Sequence, residues 1–433
     1  RRQSADGKPG ATLVNTAYVA QNATATPRPI IFAFNGGPIV PSLYVHMGFF
    51  GPKRVRFDDN VKDHPTQYEV VDNSASILDI ADIVLLDPAS TGFSRVAEGK
   101  DFRDYFSVTA DAQQVTAFIE AWLTEHDRRS SPVFLFGESY GTIRAPEVAR
   151  QLAALDTPVL VDGVILLGQA ANIIEYAQRS ANIISYVASL PTLAATAYYH
   201  GMAKPKGRAL EPFLKEVRAF GETDYLQALF LGDRLGEKQK KKLARRLEAY
   251  TGISAAYYLE HNLRIKKEEF REQLFASDKL LLGRSDARYV APITDKGRRM
   301  DPSSVVVDTL IKEFRAYMHD MFGIDDTAQY QMAAPVRGLD DWGWGGSSPF
   351  SEFAYYRPIN ELMAQNPKFR VFVGAGHFDT QTTSGASEYL VDQSGWPAER
   401  TTLKYYYGGH MAYSVNATAL QLAADLRAFI GGR

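Results

Sequence analysis

The sequence contains no cysteine among its 433 residues. This excludes disulfide bonds, a thiolate nucleophile and cysteine metal ligands, and it leaves the redox compartment undetermined. The chain also lacks an apolar run of the roughly 20 residues that a transmembrane helix needs. Its formal net charge of -2 lacks the basic excess that is typical of proteins that bind nucleic acid or anionic membranes. We therefore expect neither a nucleic-acid partner nor a membrane partner.

What the chain does have is the composition of a large globular protein, with 45% hydrophobic and 23% charged residues. Its length exceeds what one ordinary hydrophobic core holds, which predicts a large core with an inserted subdomain. Residues 1–7 are polar and lack the apolar region of a signal peptide. We expect that any signal peptide has been removed or was never present.

Short apolar runs alternate with helical patterns over residues 1–172, which predicts βαβ units and a mostly parallel sheet. The helix predicted over 110–125 places its apolar residues on one face. Edge strands are expected at 55–57 and 68–71. The other predicted strands of this part are 11–19, 29–34, 80–86, 132–136 and 161–167.

The pattern changes after residue 172 and returns near residue 331. Residues 173–330 show successive helical patterns and no central strand, so we interpret them as an all-helical cap inserted into the core. Residues 331–433 resume the α/β pattern, with strands expected at 369–373 and 402–407 and helices at 358–365 and 417–429. The predicted division is therefore a core of 1–172 and 331–433 with a cap of 173–330.

A Gly-Glu-Ser-Tyr-Gly pentapeptide occupies residues 137–141. It follows the predicted strand 132–136 and precedes a predicted helix at 143–152. In that setting G-x-S-x-G indicates a nucleophile elbow, because the glycines let the backbone pass closely through a sharp turn. Ser139 would then stand at the tip of the turn, and the N–H of Tyr140 would point to a developing oxyanion. The alternative is a chance Gly-Ser turn.

A serine hydroxyl needs a base, and the base needs an orienting group. Only His377 and His410 follow predicted strands, at the sheet edge where α/β active sites gather. The chain order serine, acid, histidine is satisfied by Ser139, Asp379 and His410, whereas His377 lacks an acid between itself and Ser139 on a strand-end loop. The other histidines are assigned to packing, a polar turn or the surface: His46, His64, His126, His200, His261 and His319.

A glycine-rich loop at residues 35–38 follows the predicted strand 29–34. Such a loop lets backbone N–H groups approach a ligand, so the N–H of Gly37 is a candidate second oxyanion donor opposite Tyr140. Glu138, beside the nucleophile, would oppose an oxyanion if it were ionised. It makes sense if it is protonated or shares a proton with a carboxylate of the ligand.

Taken together, these residues resemble the serine carboxypeptidases, in particular their bacterial branch. The resemblance covers nearly the whole chain, and its motifs recur in the same order. They are residues 34–38, 46–48, 51–52, 87–88, 91–95, 137–141, 190–192 and 199–201, with Asp379 and 409–411.

The resemblance implies an α/β-hydrolase fold with a mostly parallel central sheet, helices on both faces and an inserted helical cap. It implies Ser139 as nucleophile, His410 as base and Asp379 as the residue that orients His410. Gly37 and Tyr140 would form the oxyanion hole.

The resemblance further implies that Asn35, Gly36 and Glu138 cradle the C-terminal carboxylate of a peptide. It implies no cofactor, no metal ion and an extracytoplasmic location, periplasmic or secreted. The expected partner is a peptide or a small acyl substrate, and a homodimer is left open.

Two departures from the family pattern concern the substrate. Residues 39–42 read Ile-Val-Pro-Ser where the family usually has Gly-Ser-Ser, and residues 89–90 read Ala-Ser where it usually has Val-Gly. The first expectation is an exopeptidase that releases the C-terminal residue. The alternatives are an esterase, amidase or acyltransferase with the same triad, and a catalytically silent binding protein.

Overall fold

The computed structural model describes residues 2–3, 9–21, 27–59, 61, 68–293, 301–333, 339–346, 348 and 350–432. Within these residues the strands are β1 (Arg2–Gln3), β2 (Pro9–Thr12), β3 (Asn15–Tyr18), β4 (Ile30–Phe34), β5 (Lys53–Phe57), β6 (Tyr68–Asp72), β7 (Asp82–Leu86), β8 (Arg95–Val96), β9 (Val133–Glu138), β10 (Gly163–Leu167), β11 (Leu280–Leu282), β12 (Val290–Pro292), β13 (Arg370–Gly376) and β14 (Thr401–Tyr406).

The α-helices within the same residues are α1 (Leu43–Val45), α2 (Val108–Glu125), α3 (Gly141–Ala153), α4 (Ile173–Tyr176), α5 (Ile183–Tyr199), α6 (Leu210–Phe220), α7 (Leu226–Leu231), α8 (Glu237–Thr251), α9 (Ala255–Glu260), α10 (Lys267–Gln273), α11 (Ser304–Phe322), α12 (Arg357–Gln365), α13 (Ser384–Gln393) and α14 (Asn416–Ile430). Helix α13 had no counterpart among the predicted elements.

A seven-stranded sheet in the order β14-β13-β10-β9-β4-β7-β3 forms the centre of the molecule. All neighbouring strands run parallel except β3, which pairs antiparallel with β7 at one edge. The parallel strands therefore end on the same side, and their carboxyl ends bring distant loops together. The predicted α/β class with a mostly parallel sheet is confirmed.

Both faces of this sheet are covered by apolar side chains, as continuous apolar strands require. Along β4, Ile31 and Ala33 enter one cluster with α11 and α14, while Ile30 and Phe32 enter the other with α2 and α3. The two-residue period of a strand produces this alternation. Each fully buried aliphatic or aromatic side chain contributes roughly 1.5–3 kcal/mol, so both faces of the sheet contribute strongly to the stability of the fold.

Helices α5 to α10 enclose a separate hydrophobic cluster that includes Phe213, Leu247 and Phe270. The expectation that this segment is all-helical was wrong, because β11 and β12 form an antiparallel pair within it. Helix α11 lies in the predicted cap range, yet Val306, Leu310 and other residues of it pack into the cluster of the sheet. The division of the chain into core and cap stays a prediction.

Two other strand predictions need correction. The single strand expected over 11–19 is split between β2, which pairs with β1 and β8, and β3, which joins the central sheet. Strands β5 and β6 pair with each other as a separate two-stranded sheet and do not lie at the edges of the central sheet. Paired amides satisfy each other equally well in either arrangement, so local sequence does not choose between them.

None of the helices in the described ranges combines the length and the apolar character needed to cross a membrane.

Candidate active site

The turn between β9 and α3 carries Ser139 in a backbone conformation that L-residues rarely adopt. Its φ angle is +58°, a strain of roughly 1–3 kcal/mol that the surrounding structure must hold. A Cβ atom on Gly137 would lie 2.0 Å from the carbonyl oxygen of Gly141. The backbone N–H of Ser139 donates to the carbonyl of Leu167 at 3.0 Å and ties the turn to β10. The pentapeptide is therefore a sharp strand-to-helix turn with its serine partly exposed.

The glycine-rich loop after β4 lies directly against this turn. A Cβ atom on Gly36 would lie 2.5 Å from the backbone nitrogen of Tyr140, so only glycine permits the approach. Gly37 is exposed, has a φ angle of +106° and lines the same cavity as Ser139 and Tyr140. The two candidate oxyanion donors thus line the same cavity as the serine.

A buried ion pair holds the glycine-rich loop in place. Arg144 of α3 pairs with Asp111 of α2 at 2.6 Å, and both side chains are fully buried. The same guanidinium donates to the carbonyl oxygens of Asn35 and Pro38, each at 2.7 Å. Because a planar guanidinium presents its donors in a fixed fork, Arg144 fixes the loop relative to the helix that begins at the serine. The sequence analysis did not single out this residue.

His410 and Asp379 form a buried pair on the loops that follow β14 and β13. The His410 Nδ1 atom lies 2.7 Å from Asp379 Oδ2. The other carboxylate oxygen accepts the backbone N–H groups of Gln381 and Thr382, at 2.8 and 3.0 Å. The Thr382 hydroxyl also donates to Asp379 Oδ2 at 2.6 Å. These bonds fix the carboxylate so that it can orient the imidazole.

Burial lowers the pKa of His410, but the adjacent Asp379 carboxylate more than offsets this, so the net shift of the pKa is upward. The imidazole ring lies against the elbow, since a Cβ atom on Gly168 would lie 2.9 Å from His410 Nδ1. Gly168 directly follows Leu167, which binds the Ser139 N–H. In the described part of the chain no hydrogen bond joins the Ser139 hydroxyl to His410, and catalytic hydrogen bonds commonly close only when substrate binds.

His377, the competing base, is directed away from this pair. Its Nε2 atom lies 2.9 Å from a carboxylate oxygen of Glu211 in α6, and its ring stacks on Tyr405 at 5.6 Å between centroids. His46 is buried and bound to the Tyr18 hydroxyl at 2.6 Å, and burial lowers its pKa to about 3. Both therefore have local partners that account for their positions. His64 lies outside the described residues.

Glu138 is almost completely buried behind the serine. One carboxylate oxygen accepts a hydrogen bond from the Asn35 side-chain amide at 2.7 Å, while the other has no hydrogen-bond partner among the described residues. Burial raises the pKa of Glu138 to about 7, although His410 and the nearby Tyr413 and Asn35 side chains act in the opposite direction. A carboxyl group that is half protonated near neutral pH can share a proton with a second carboxylate.

A cavity of about 540 Å³ opens beside Ser139. Gly37 and Tyr140 lie at the same wall, and the lining does not include Glu138 or Asn35. The remaining described walls are mostly apolar or aromatic, with Ile39, Val40, Ile143, Ala170, Ile173, Tyr176, Leu339 and Trp344 among them. This volume is enough for one amino-acid side chain or a small acyl group.

Two cationic side chains, Lys267 and Arg284, also line this cavity. Both come from the segment between α5 and α11, and the sequence analysis missed them. The sequence also has a run of positive charges on α8, whose side chains are mostly exposed and do not line the cavity. Nothing in the local pattern around residues 267 and 284 distinguishes them from surface charges.

Part of the chain is similar in sequence to known proteins. A family model described as serine carboxypeptidase matches residues 14–158. Serine carboxypeptidase-like 13 of Arabidopsis thaliana is 26% identical over 140 residues, which is 32% of this chain and 31% of that protein. The chain thus matches about a third of the length of this curated relative.

A solved structure extends the likeness to the whole fold. A prohormone-processing carboxypeptidase from Saccharomyces cerevisiae superposes with a TM-score of 0.56 over 98% of this chain and 91% of its own, at 14% identity. At that identity the superposition establishes the fold alone. The chain is therefore related in sequence to the serine carboxypeptidases through residues 14–158, and it has the α/β-hydrolase fold over nearly its whole length.

Proposed function

We propose that the protein is a serine-type carboxypeptidase that releases C-terminal residues from peptides through an acyl-enzyme intermediate. The observation that carries the proposal is the arrangement around one turn. Ser139 on its strained turn shares a cavity with two candidate oxyanion donors. An oriented His410–Asp379 pair and a buried glutamate whose pKa is raised to about 7 lie next to this turn.

In the first half of the reaction, the Ser139 hydroxyl oxygen attacks the carbonyl carbon of the scissile bond, and His410 takes its proton at Nε2. The Asp379 carboxylate on Nδ1 stabilises the imidazolium that forms. The backbone N–H groups of Gly37 and Tyr140 donate to the oxyanion. When the C–N bond breaks, His410 returns the proton to the leaving amine, and the acyl group remains on Ser139.

In the second half, water takes the place of the amine. His410 accepts a proton from the water as its oxygen attacks the acyl carbon, and the same two N–H groups stabilise the second oxyanion. Collapse of this intermediate releases the acid product, and His410 returns the proton to Ser139. The raised pKa of His410 favours the charged imidazole that both halves require.

The preference for a free C-terminus would come from Glu138, Asn35 and Gly36. Protonated Glu138 would donate to the substrate carboxylate, while Asn35 holds the other oxygen of Glu138. Once both carboxyl groups are ionised they repel each other. Binding of free-acid peptides is therefore expected to weaken as the pH rises through the apparent pKa of the pair.

A second candidate function is an esterase, amidase or acyltransferase that acts on a small molecule with the same triad. It is favoured by Ile39 and Val40, which line the cavity with bulky, stiff side chains. Such a wall suits a compact acyl group better than an extended peptide.

Two measurements test the proposal. Labelling by a fluorophosphonate probe is expected at Ser139. Failure to label would favour the alternative that the protein is a catalytically silent binding protein. Hydrolysis is then measured for matched peptides with free and amidated C-termini between pH 4 and 8. We expect the free acids to be preferred at the acidic end. If no such preference appears at any pH, an esterase, amidase or acyltransferase that acts on a small molecule becomes the favoured hypothesis.

An extracytoplasmic location and a homodimer stay proposals that rest on the family resemblance. Fractionation of the producing cells and light scattering of the purified chain would test them.

A further inference from the structure

The active-site cavity presents two cations, and its described lining contains no aspartate or glutamate. Lys267 stands at the start of α10 and Arg284 on the loop after β11, and both line the same cavity as Ser139. They belong to the segment that packs as its own cluster. A pair of positive charges against a mainly apolar wall is costly unless an anion joins them.

Lys267 forms no ion pair with a carboxylate within the described part of the chain, although the more distant charges of Asp379 and Glu268 oppose the lowering of its pKa by burial. Its Nζ atom donates to the backbone carbonyl of Gln381 at 2.5 Å and lies 5.1 Å from the ring centre of Tyr176. Tyr176 and Gln381 line the cavity too. Burial lowers the pKa of Lys267 to about 8, so the ammonium is retained at neutral pH at the expense of lost hydration. Two of its three donors remain available to a ligand.

Arg284 is only weakly compensated. Its Nε atom lies 3.6 Å from a carboxylate oxygen of Glu268, but the other oxygen of that carboxylate is bound by Arg271 at 2.5 Å. The Arg284 guanidinium makes no hydrogen bond among the described residues. It is half exposed at the cavity wall, where a flexible side chain can turn toward a bound anion.

The position of the cavity indicates which half of a substrate these cations meet. The lining includes the candidate oxyanion donors Gly37 and Tyr140 but not Glu138 or Asn35, which would hold the leaving residue. The cavity therefore receives the acyl half. Its body is apolar, with Ile39, Ile143 and Trp344 in the walls, so it suits a short aliphatic chain that ends in a charge.

We propose that Lys267 and Arg284 select substrates whose acyl group carries a carboxylate, such as a glutamyl residue that precedes the scissile bond. This inference rests on the proposed serine hydrolase site, because it assigns the acyl side of that site. It does not depend on whether the leaving group is an amino acid or an alcohol.

The test compares two substrates that differ only in that charge, benzyloxycarbonyl-Glu-Leu and benzyloxycarbonyl-Gln-Leu. The measured quantity is the ratio of their kcat/KM values, which cancels any loss common to both. The wild type is expected to prefer the glutamyl substrate by roughly tenfold, which is what one charge-assisted contact supplies. The same ratio is measured with methyl esters of the two acyl groups. If the protein does not cleave peptides, the selection for a charged acyl group can therefore still be measured.

Lys267→Met is expected to bring the ratio close to one, and Lys267→Arg to retain most of it. Lys242→Met on the exposed face of α8 removes the same charge elsewhere and is expected to leave the ratio unchanged. A merely structural role of Lys267, through its bond to Gln381, would lower kcat for both substrates equally. Arg284→Met is expected to reduce the ratio less than Lys267→Met.

A readout without turnover completes the test. Binding of the two peptides to Ser139→Ala, measured by calorimetry, is expected to favour the glutamyl compound by a similar factor, and adding Lys267→Met to remove that preference. Equal affinities in Ser139→Ala, or a ratio that survives the Lys267→Met/Arg284→Met double substitution, would overturn the proposal. If Ser139 neither labels nor hydrolyses any substrate while the binding preference persists, the proposed function fails and the anion site stands.

Discussion

The sheet and the helical segment contribute different parts of the candidate active site. The groups assigned to chemistry lie on loops at the carboxyl ends of β4, β9, β13 and β14, four strands of one sheet. The helical segment between α5 and α11 supplies the two cations of the cavity, and it packs around a cluster of its own. Bond making requires atoms placed within fractions of an ångström, which a buried parallel sheet provides. Selection among substrates requires less exact placement, so it can be carried out by residues of a segment that packs separately from the sheet.

The two regions also use charge differently. The Arg144–Asp111 pair beneath the glycine-rich loop is fully buried, whereas Arg246 and Asp224 in the helical segment pair at 2.8 Å with both side chains well exposed. Removing one partner of a buried pair leaves a buried charge without compensation, while the charges of an exposed pair are screened by water. Four experiments test whether substitutions at the edge of the sheet affect catalysis and stability more than substitutions in the helical segment.

The largest effect is expected from Ser139→Ala, which removes the nucleophile from the strained turn. We expect kcat to fall by about 10⁶-fold, with only the residual catalysis of the oxyanion hole left. Ser277→Ala, an exposed position in the helical segment, serves as the control. A Ser139→Ala protein that keeps more than a trace of the wild-type kcat would remove Ser139 from the mechanism.

His410→Ala is expected to be nearly as damaging, and the double variant with Ser139→Ala to add little, because the residues act as a unit. His377→Ala provides the matched contrast across the two regions. Its imidazole binds Glu211 of the helical segment, so we expect kcat to change by less than about tenfold, as for a structural contact. Equal losses in the two histidine variants would reverse the choice of base.

Asp111→Asn is expected to lower the free energy of unfolding by about 3–5 kcal/mol, because Arg144 is left as a buried, uncompensated cation. Asp224→Asn, which breaks the exposed pair, is expected to cost about 1 kcal/mol or less. Urea denaturation of both variants measures the difference. Similar midpoints for the two would contradict the expected difference between a buried and an exposed ion pair.

The last expected effect comes from Glu138→Gln and depends on pH. Because burial raises the pKa of Glu138 from 4.5 to about 7, folding carries no penalty while the group is protonated, and the penalty grows as the pH rises through that window. At pH 8 the loss is on the order of 3 kcal/mol. Glu138→Gln is therefore expected to flatten the decline of Tm between pH 5 and 8.

The same variant bears on recognition. Glutamine donates a hydrogen bond at every pH, so the rise of KM with pH for free-acid peptides is expected to flatten, while amidated substrates change little. Glu260→Gln, at an exposed position on α9, is the control. A wild-type Tm that does not decline between pH 5 and 8 would show that Glu138 is not forced to ionise in the folded state.

Much of the architecture could be read from the chain alone, because its signals are local. Continuous apolar runs predicted β4, β7, β9, β10 and β13, and the glycine pattern predicted the sharp turn at Ser139. Local patterns failed where pairing partners had to be chosen, as when 11–19 was split between two sheets and when β5 and β6 paired apart from the central sheet. They also missed the β11–β12 pair, whose strands are only three residues long.

The sequence by itself determined the order of Ser139, Asp379 and His410 along the chain, and the strands that bring such loops to one edge. Only the tertiary structure decided that His377 faces Glu211 and that Arg144 reaches back to the loop after β4. It also decided that Lys267 lines the same cavity as the serine. The periodicity that predicts helices and strands involves a few neighbouring residues, whereas these contacts join positions more than 100 residues apart. They are settled by how separately packed clusters meet, which no local pattern encodes.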